Sequence, residues 1–271
     1  MPFFPQSVQL GSRTITKVSF LSDEILMANH LLDSFGNAKT IKNDNSSRFG
    51  KVIELHFNIR FPYGALPLCE LAGCKLETYM LEKTRVAHMK NYAGEQSFHI
   101  FYQLLAAPEE EKCQFWSELA NTNISSFKYL ANARPMQAGA GPTPAERWKA
   151  TMAGLGMMGL KGDLLNDLIC ALCCVLQLGN VTFSAGLNEN ESVITSAEEL
   201  VKLAELLGVD VSLLMSALTT RDTSINNGGK SISPMNHVDA KENCDMFARE
   251  IYAKIFQWIV DFMILKKSDH D

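Results

Sequence analysis

Charge of one sign is what these 271 residues most lack: Lys+Arg 25 against Asp+Glu 30 leaves a net charge of -5. That balance supplies no broad cationic surface for nucleic acid or an anionic membrane, so any bound anion has to be held locally. No continuous run reaches the ~18 apolar residues of a membrane span. The start, Met1-Pro2-Phe3-Phe4-Pro5, carries neither a basic n-region nor an apolar h-region. No transmembrane segment, standard secretion signal or nucleic-acid partner is therefore expected. Zinc spacing is missing as well. Cys170-Ala171-Leu172-Cys173-Cys174 holds one C-x-x-C without a second pair or a His partner, and His30, His56, His88, His99 and His237 never fall at metal-binding helical spacing. Seven cysteines, an odd number set mostly in apolar stretches, suit a reducing cytosol and buried packing. The glycosylation-pattern asparagines Asn45, Asn123, Asn180 and Asn190 are then chance matches. A phosphate-binding P-loop is absent too: Gly229-Lys230-Ser231 has Ser224 where the motif needs glycine.

What is present is an ordinary folded composition, 46% apolar and 20% charged, long enough for one to two domains at roughly 150 residues each. Residues 1–21 show no clear period. A helix is expected from Ser22, with Ile25, Ala28, Leu32 and Phe35 on one face and Gly36 at its end, which also accounts for the switch-like Asp33-Ser34-Phe35-Gly36. Alternation predicts a strand at 51–57, a Pro/Gly connection at 60–73 and an antiparallel partner strand at 74–81. Beyond these the period turns helical. Helices are expected around Phe98–Leu105, from Pro108 to Ala120, from the Thr143-Pro144-Ala145-Glu146 capping box, and over 163–178. A short strand at 181–183 precedes a second capping box, Ser196-Ala197-Glu198-Glu199, with Gly208 ending that helix and Asp210 capping the next. Residues 219–233 read as a hairpin about Asn227-Gly228. From Asn236 an apolar stripe, Cys244, Phe247, Ile251, Ile255, Trp258 or Ile259 and Phe262, predicts one long packed helix.

The loop between the first helix and the first strand is chemically rich. From Gly36 to Lys51 it offers three asparagines, two adjacent serines, one arginine and three lysines. Hydroxyls and amides of this kind reach phosphate oxygens and Mg²⁺, while a guanidinium holds a carboxylate in a fork. Composition alone favours a plain polar connection, because Asn, Asp, Ser and Gly are ordinary loop residues.

Asn43-Asp44-Asn45-Ser46-Ser47-Arg48-Phe49-Gly50-Lys51 resembles switch I of the myosin motor head. The flanks agree: Phe35-Gly36-Asn37-Ala38-Lys39-Thr40 before it, then Tyr79-Met80-Leu81-Glu82-Lys83-Thr84-Arg85-Val86 and Gly94-Glu95-Gln96-Ser97-Phe98-His99-Ile100-Phe101-Tyr102 after it. Leu178-Gly179-Asn180-Val181, Ala217-Leu218-Thr219-Thr220-Arg221 and Tyr252-Ala253-Lys254-Ile255-Phe256 follow in the family's order. The resemblance implies an actin-dependent ATPase motor using ATP and Mg²⁺, cytoplasmic and on the actin cytoskeleton. By the same resemblance Asn43 contacts phosphate, Ser46 lies beside the γ-phosphate and attacking water, Ser47 coordinates Mg²⁺, and Arg48 pairs with a switch II glutamate.

The implied fold is mixed α/β and predominantly helical, a fragment of the P-loop NTPase-type myosin motor domain. The expected division is an unmatched leader over 1–22, a partial head over 23–262 comprising switch I, sheet strands and the helical upper lobe, and a divergent tail over 263–271. A myosin P-loop belongs upstream of Asp23 and switch II downstream of the last helix; neither motif occurs in these residues. The 60–73 connection is longer than usual for the family. Light chains and cargo are not encoded in this stretch. The alternative expectation is a truncated, ATPase-inactive protein that binds actin or myosin.

Overall fold

The computed structural model describes residues 14–61, 66–87, 94–131, 141–224 and 230–265. Within them eight helices and four separate two-stranded antiparallel ladders alternate along the chain. The fold is mixed and helix-rich, as its sequence pattern implied.

Helix α1 (Thr14–Gly36) starts well before Ser22. Pro2, Pro5 and Gly11 all precede Thr14, and once a helix is nucleated each further residue extends it at little cost. The end of α1 feeds β1 (Asn37–Ala38), which pairs with β2 (Ser46–Ser47) and pinches the loop between them.

Strands β3 (Gly50–Arg60) and β4 (Leu68–Tyr79) form an antiparallel ribbon longer than expected. The residues that break the ladder are confined to its far end, so pairing runs out to Arg60 opposite Leu68. Gly73 faces His56 and Leu71 faces Phe57, which leaves Ala72 as an extra residue at a bulge beside a glycine. At the other end Met80, at φ 55°, stops the strand before Leu81.

Register gives this ribbon two different faces. Ile53, Leu55, Phe57 and Ile59 pair with Leu76, Cys74, Leu71 and Cys69 on one side, while Glu54 and His56 share the other with Lys75 and Gly73. Only the base of the apolar face reaches the core, through buried Leu76 and partly buried Ile53; Phe57 and Ile59 remain 52% and 58% exposed. Among the described residues each strand pairs only with the other. Open edges beside exposed apolar side chains favour association. The 271-residue chain on its own is therefore expected to self-associate as concentration rises in sedimentation velocity, and a Phe57→Lys/Ile59→Lys pair to reduce that association. A monodisperse parent with a cooperative melt would show a self-sufficient domain instead.

The helical body follows. Helix α2 (His99–Leu105) is buried throughout, and α3 (Glu109–Phe115) stops short of Ala120 because Ser117–Leu119 tightens into a 3₁₀ turn. Helix α4 (Pro144–Met157) begins in the expected capping box, with Thr143 Oγ1 accepting from Glu146 N and Glu146 Oε2 accepting from Thr143 N.

Helix α5 (Asp163–Asn180) is long and apolar enough by composition to cross a membrane, yet 56% of it is buried inside this fold. Burial pushes the Cys173 and Cys174 thiols upward, the latter to about 12, as expected of packed helix cysteines. A ladder of β5 (Phe183–Ala185) and β6 (Ser192–Ile194) follows; β6 is too short to stand out as a strand in the sequence.

Helix α6 (Ala197–Leu207) lacks the cap expected from Ser196, whose Oγ accepts instead from Thr182 N at 2.9 Å. Gly208, at φ 64°, ends it as expected. Asp210 caps α7 (Val211–Thr219) through Ser212 N and Leu213 N. The hairpin of β7 (Thr220–Ser224) and β8 (Lys230–Pro234) forms as expected, while its Asn227-Gly228 turn lies outside the described residues.

Helix α8 (His237–Leu265) is the long packed helix. Cys244, Ile255 and Ile259 of the expected stripe are buried, and the buried face continues through Ala248, Tyr252, Phe256 and Val260, while Phe247 and Trp258 are both 38% exposed. Small Ala248 lets the helix approach its neighbours, and Phe247, Ile251 and Trp258 face an open cleft of about 580 Å³ shared with Leu164 and Leu168 of α5.

Three aromatic contacts place the pinched loop on this core. Tyr252 stacks on Phe98 at 4.6 Å, lies 5.2 Å from Phe101, and donates its hydroxyl to Phe35 O at 2.7 Å. Phe49, the first residue after Arg48, meets Phe256 edge-on at 5.1 Å. The base of the loop is thereby nailed to α8.

Candidate functional site

The candidate site is the arch from Lys39 to Arg48. Its foot is set by Arg48, whose N–H donates to Gly36 O and whose carbonyl accepts from Glu82 N, both at 2.9 Å. Gly36 is required there: a Cβ at this position would lie 2.3 Å from Phe49 Cε1. Within the arch Thr40 N and Oγ1 both donate to Asn43 O, and Asn43 Oδ1 accepts from Asn45 N, an asparagine-made turn at the tip. Lys39 and Asp44 pair across it at 3.2 Å.

Asn43 and Ser47 are exposed and Ser46 is half-buried. Ser46 Oγ accepts from Arg48 Nη1 at 3.1 Å, and Ser47 Oγ donates to Phe49 O at 2.9 Å. A hydroxyl that spends its proton on a carbonyl keeps both lone pairs, so Ser47 fits the role of an oxygen ligand for a hard cation such as Mg²⁺. Among the described residues no cluster of three His, Cys, Asp or Glu could hold a metal.

Arg48 is engaged at home. Its Nε donates to Glu82 Oε2 at 2.5 Å, and the same oxygen accepts from Arg85 Nε at 2.9 Å. Burial alone would raise the Glu82 carboxyl, but these two guanidinium bonds outweigh it and hold its pKa below the usual carboxylate range. Arg48 Nη2 has no partner among the described residues, so one prong of the fork remains for a second carboxylate. Glu82 is the contact that sequence reasoning missed: it stands 34 positions away, inside a stretch read only as strand.

His99 is the second residue missed. Buried on α2, it reaches Asn45 Oδ1 at 3.0 Å; that oxygen also accepts from Asn37 Nδ2 at 3.1 Å, so the ring donates from Nε2. Burial first, then the positive Arg147, lower its pKa to about 4 against a weaker opposing pull from Asp44. Between about pH 6.5 and 4 the unfolded imidazole takes a proton that the folded one refuses. Stability contributed by this site is thus full above pH 6.5 and lost as pH falls, at up to about 1.4 kcal/mol per pH unit. Urea unfolding of the chain at pH 7 and 4.5 should show this loss, and His99→Gln, which keeps a donor for Asn45 but cannot titrate, should flatten it. Equal slopes for parent and variant would remove His99 from the account.

A pinned arch that carries a serine pair and an arginine shared with a distant glutamate, with a buried histidine from α2 reaching its Asn45, is what the structure brings together here. The family profile described as Myosin head (motor domain) matches residues 3–268. The chain belongs to the myosin head family. It is 36% identical over 238 residues to unconventional myosin-Ic of Bos taurus, covering 88% of this chain and 21% of that protein. Myosin-3 of Arabidopsis thaliana is 35% identical over 240 residues, covering 88% and 19%, and Myosin-52 of Schizosaccharomyces pombe is 31% identical over 256 residues, covering 94% and 16%. The chain spans between 16% and 21% of the length of these relatives. The matched stretch runs beyond 23–262 at both ends.

Proposed function

We propose that these residues are the switch I part of an actin-based motor head, in which the arch holds the phosphates of MgATP during hydrolysis. Asn43 contacts phosphate, Ser46 lies at the γ-phosphate and attacking water, Ser47 ligates Mg²⁺, and Arg48 pairs with a switch II carboxylate when the site closes. Bound Mg²⁺ supplies charge neutralisation at the phosphates; the arch supplies position. The observation that carries this reading is the pinned Ser46-Ser47-Arg48 triplet, with Ser47 exposed, Ser46 and Arg48 half-buried, and no partner for Arg48 Nη2 among the described residues. Actin filaments are the partner and the cytoplasmic actin cytoskeleton the location that go with it.

Phosphate transfer needs a cradle on both sides, and a P-loop lysine is not among these 271 residues. The chain by itself is therefore expected to show no actin-stimulated MgATPase. A complete head carrying this segment should hydrolyse ATP and be stimulated by actin. Hydrolysis by the isolated chain above a Ser47→Ala control, or a complete head deaf to actin, would overturn the proposal.

A further inference from the structure

The arch is held by two separate arms, and one buried side chain touches the holders of both. Its outgoing arm is bound by the 95–98 stretch: Gln96 N donates to Lys39 O at 3.0 Å, Ile41 N reaches Glu95 Oε1 at 3.4 Å, and Ala38 bridges to Phe98. Its returning arm is bound by Glu82, through the Arg48 guanidinium and through Glu82 N to Arg48 O. Between the two holders sits Arg85, 1% exposed. Its Nε donates to Glu82 Oε2 at 2.9 Å, while its Nη1 donates to Glu95 Oε2 at 2.9 Å and to Gln96 O at 3.1 Å.

We propose that Arg85 is a positioning residue that clamps the two arms of the arch into one unit through Glu82 and Glu95. The charges run Arg48, Glu82, Arg85, Glu95, positive and negative in turn, so Glu82 is shared by two guanidinium groups and Arg85 is the group that joins it to Glu95. A guanidinium suits the place because its planar fork offers donors in two directions at once, where a lysine would present one point charge. Arg85 is the buried member, its side chain 2% exposed against 24% and 14% for Glu82 and Glu95, so removing either carboxylate would leave a buried guanidinium short of a partner. The arms then open together: losing Glu95's grip on Arg85 loosens Glu82 and with it Arg48. The consequence for ligands rests on the phosphate-loop reading above, because Asn43 and Ser46–Ser47 would be delivered by one rigid arch rather than by two independent strands.

The test is residue-resolved amide hydrogen exchange on the 271-residue chain without nucleotide, so that it stands or falls apart from the nucleotide reading. Glu95→Gln keeps the shape and touches only the outgoing arm. If the clamp couples the arms, the Arg48 amide, bonded to Gly36 O on the returning arm, should exchange about tenfold faster in this variant, the scale of one weakened charged hydrogen bond. Amides of α5, such as that of Leu172, serve as the control and should not change. A rise confined to Ile41 and Gln96 would show independent arms and overturn the proposal. Should Glu95→Gln accelerate α5 as well, the reciprocal variant Glu82→Gln decides: faster exchange at Gln96 with α5 unchanged supports the clamp, and an unchanged Gln96 refutes it.

Discussion

Arg48→Ala, placed in a complete head carrying this segment, is expected to cut single-turnover ATP hydrolysis by a hundredfold to several thousandfold while leaving nucleotide affinity largely intact. The reasoning starts from the home contacts. Truncation removes the Glu82 and Ser46 bonds, but Glu82 keeps Arg85 on the same oxygen, so the foot of the arch retains a charged anchor. The backbone bonds from Arg48 to Gly36 and Glu82 do not depend on the side chain. Binding should therefore survive. What is lost is the free prong that we propose meets a switch II carboxylate, and removing one partner of a buried pair costs about 3–5 kcal/mol. Spent wholly on the closing step, that is a rate loss of roughly 10² to several 10³. Arg48→Lys should be no substitute, because a single ammonium cannot serve Glu82 and a second carboxylate together. Hydrolysis by Arg48→Lys at the parent rate, or loss of affinity alone in Arg48→Ala, would cancel the closing role.

Gly36→Ala is the second large effect, and it acts by steric force rather than charge. The added Cβ would stand 2.3 and 2.4 Å from two atoms of the Phe49 ring and 3.1 Å from Phe256 Cε2. Phe49 is buried and held edge-on by Phe256, so its ring has nowhere easy to go. Overpacking of this kind typically costs about 1–3 kcal/mol, and the upper end is expected because the displaced ring carries the foot of the arch with it. Chemical denaturation of the chain should show the loss, and Gly36→Ala combined with Phe49→Leu should recover part of it. Strict additivity of the two substitutions would mean that the ring does not oppose the new methyl.

The candidate groups of the arch could be named from the sequence because they are consecutive: Asn43 to Lys51 sit side by side whatever the rest of the chain does. Caps with local partners were legible for the same reason, Thr143 with Glu146 and Asp210 with Ser212. Glu82 and His99 were not, since their value lies in reaching Arg48 and Asn45 across 34 and 54 positions, distances that only the packed chain closes. Ser196 fitted a capping pattern equally well, yet the residue just before β5 offered its hydroxyl a part-buried backbone donor, Thr182 N, and tertiary structure overrode the local motif. On α8 the expected stripe held at Cys244, Ile255 and Ile259, but side-chain size wrongly favoured Phe247 over small Ala248, which is the residue fully buried there.

The central claim, that the arch ligates a phosphate-bound Mg²⁺ through Ser47, has a direct test in metal specificity. A complete head carrying Ser47→Cys should lose most of its single-turnover hydrolysis with Mg²⁺, since sulfur is a poor ligand for a hard cation, and regain part of it with the softer Mn²⁺. Ser46→Cys, on the neighbouring hydroxyl assigned to the water side, should show no such recovery. Metal-selective rescue at Ser47 alone is the result this account predicts; Ser47→Cys hydrolysis that is unimpaired with Mg²⁺, or equally impaired with both metals, would contradict it.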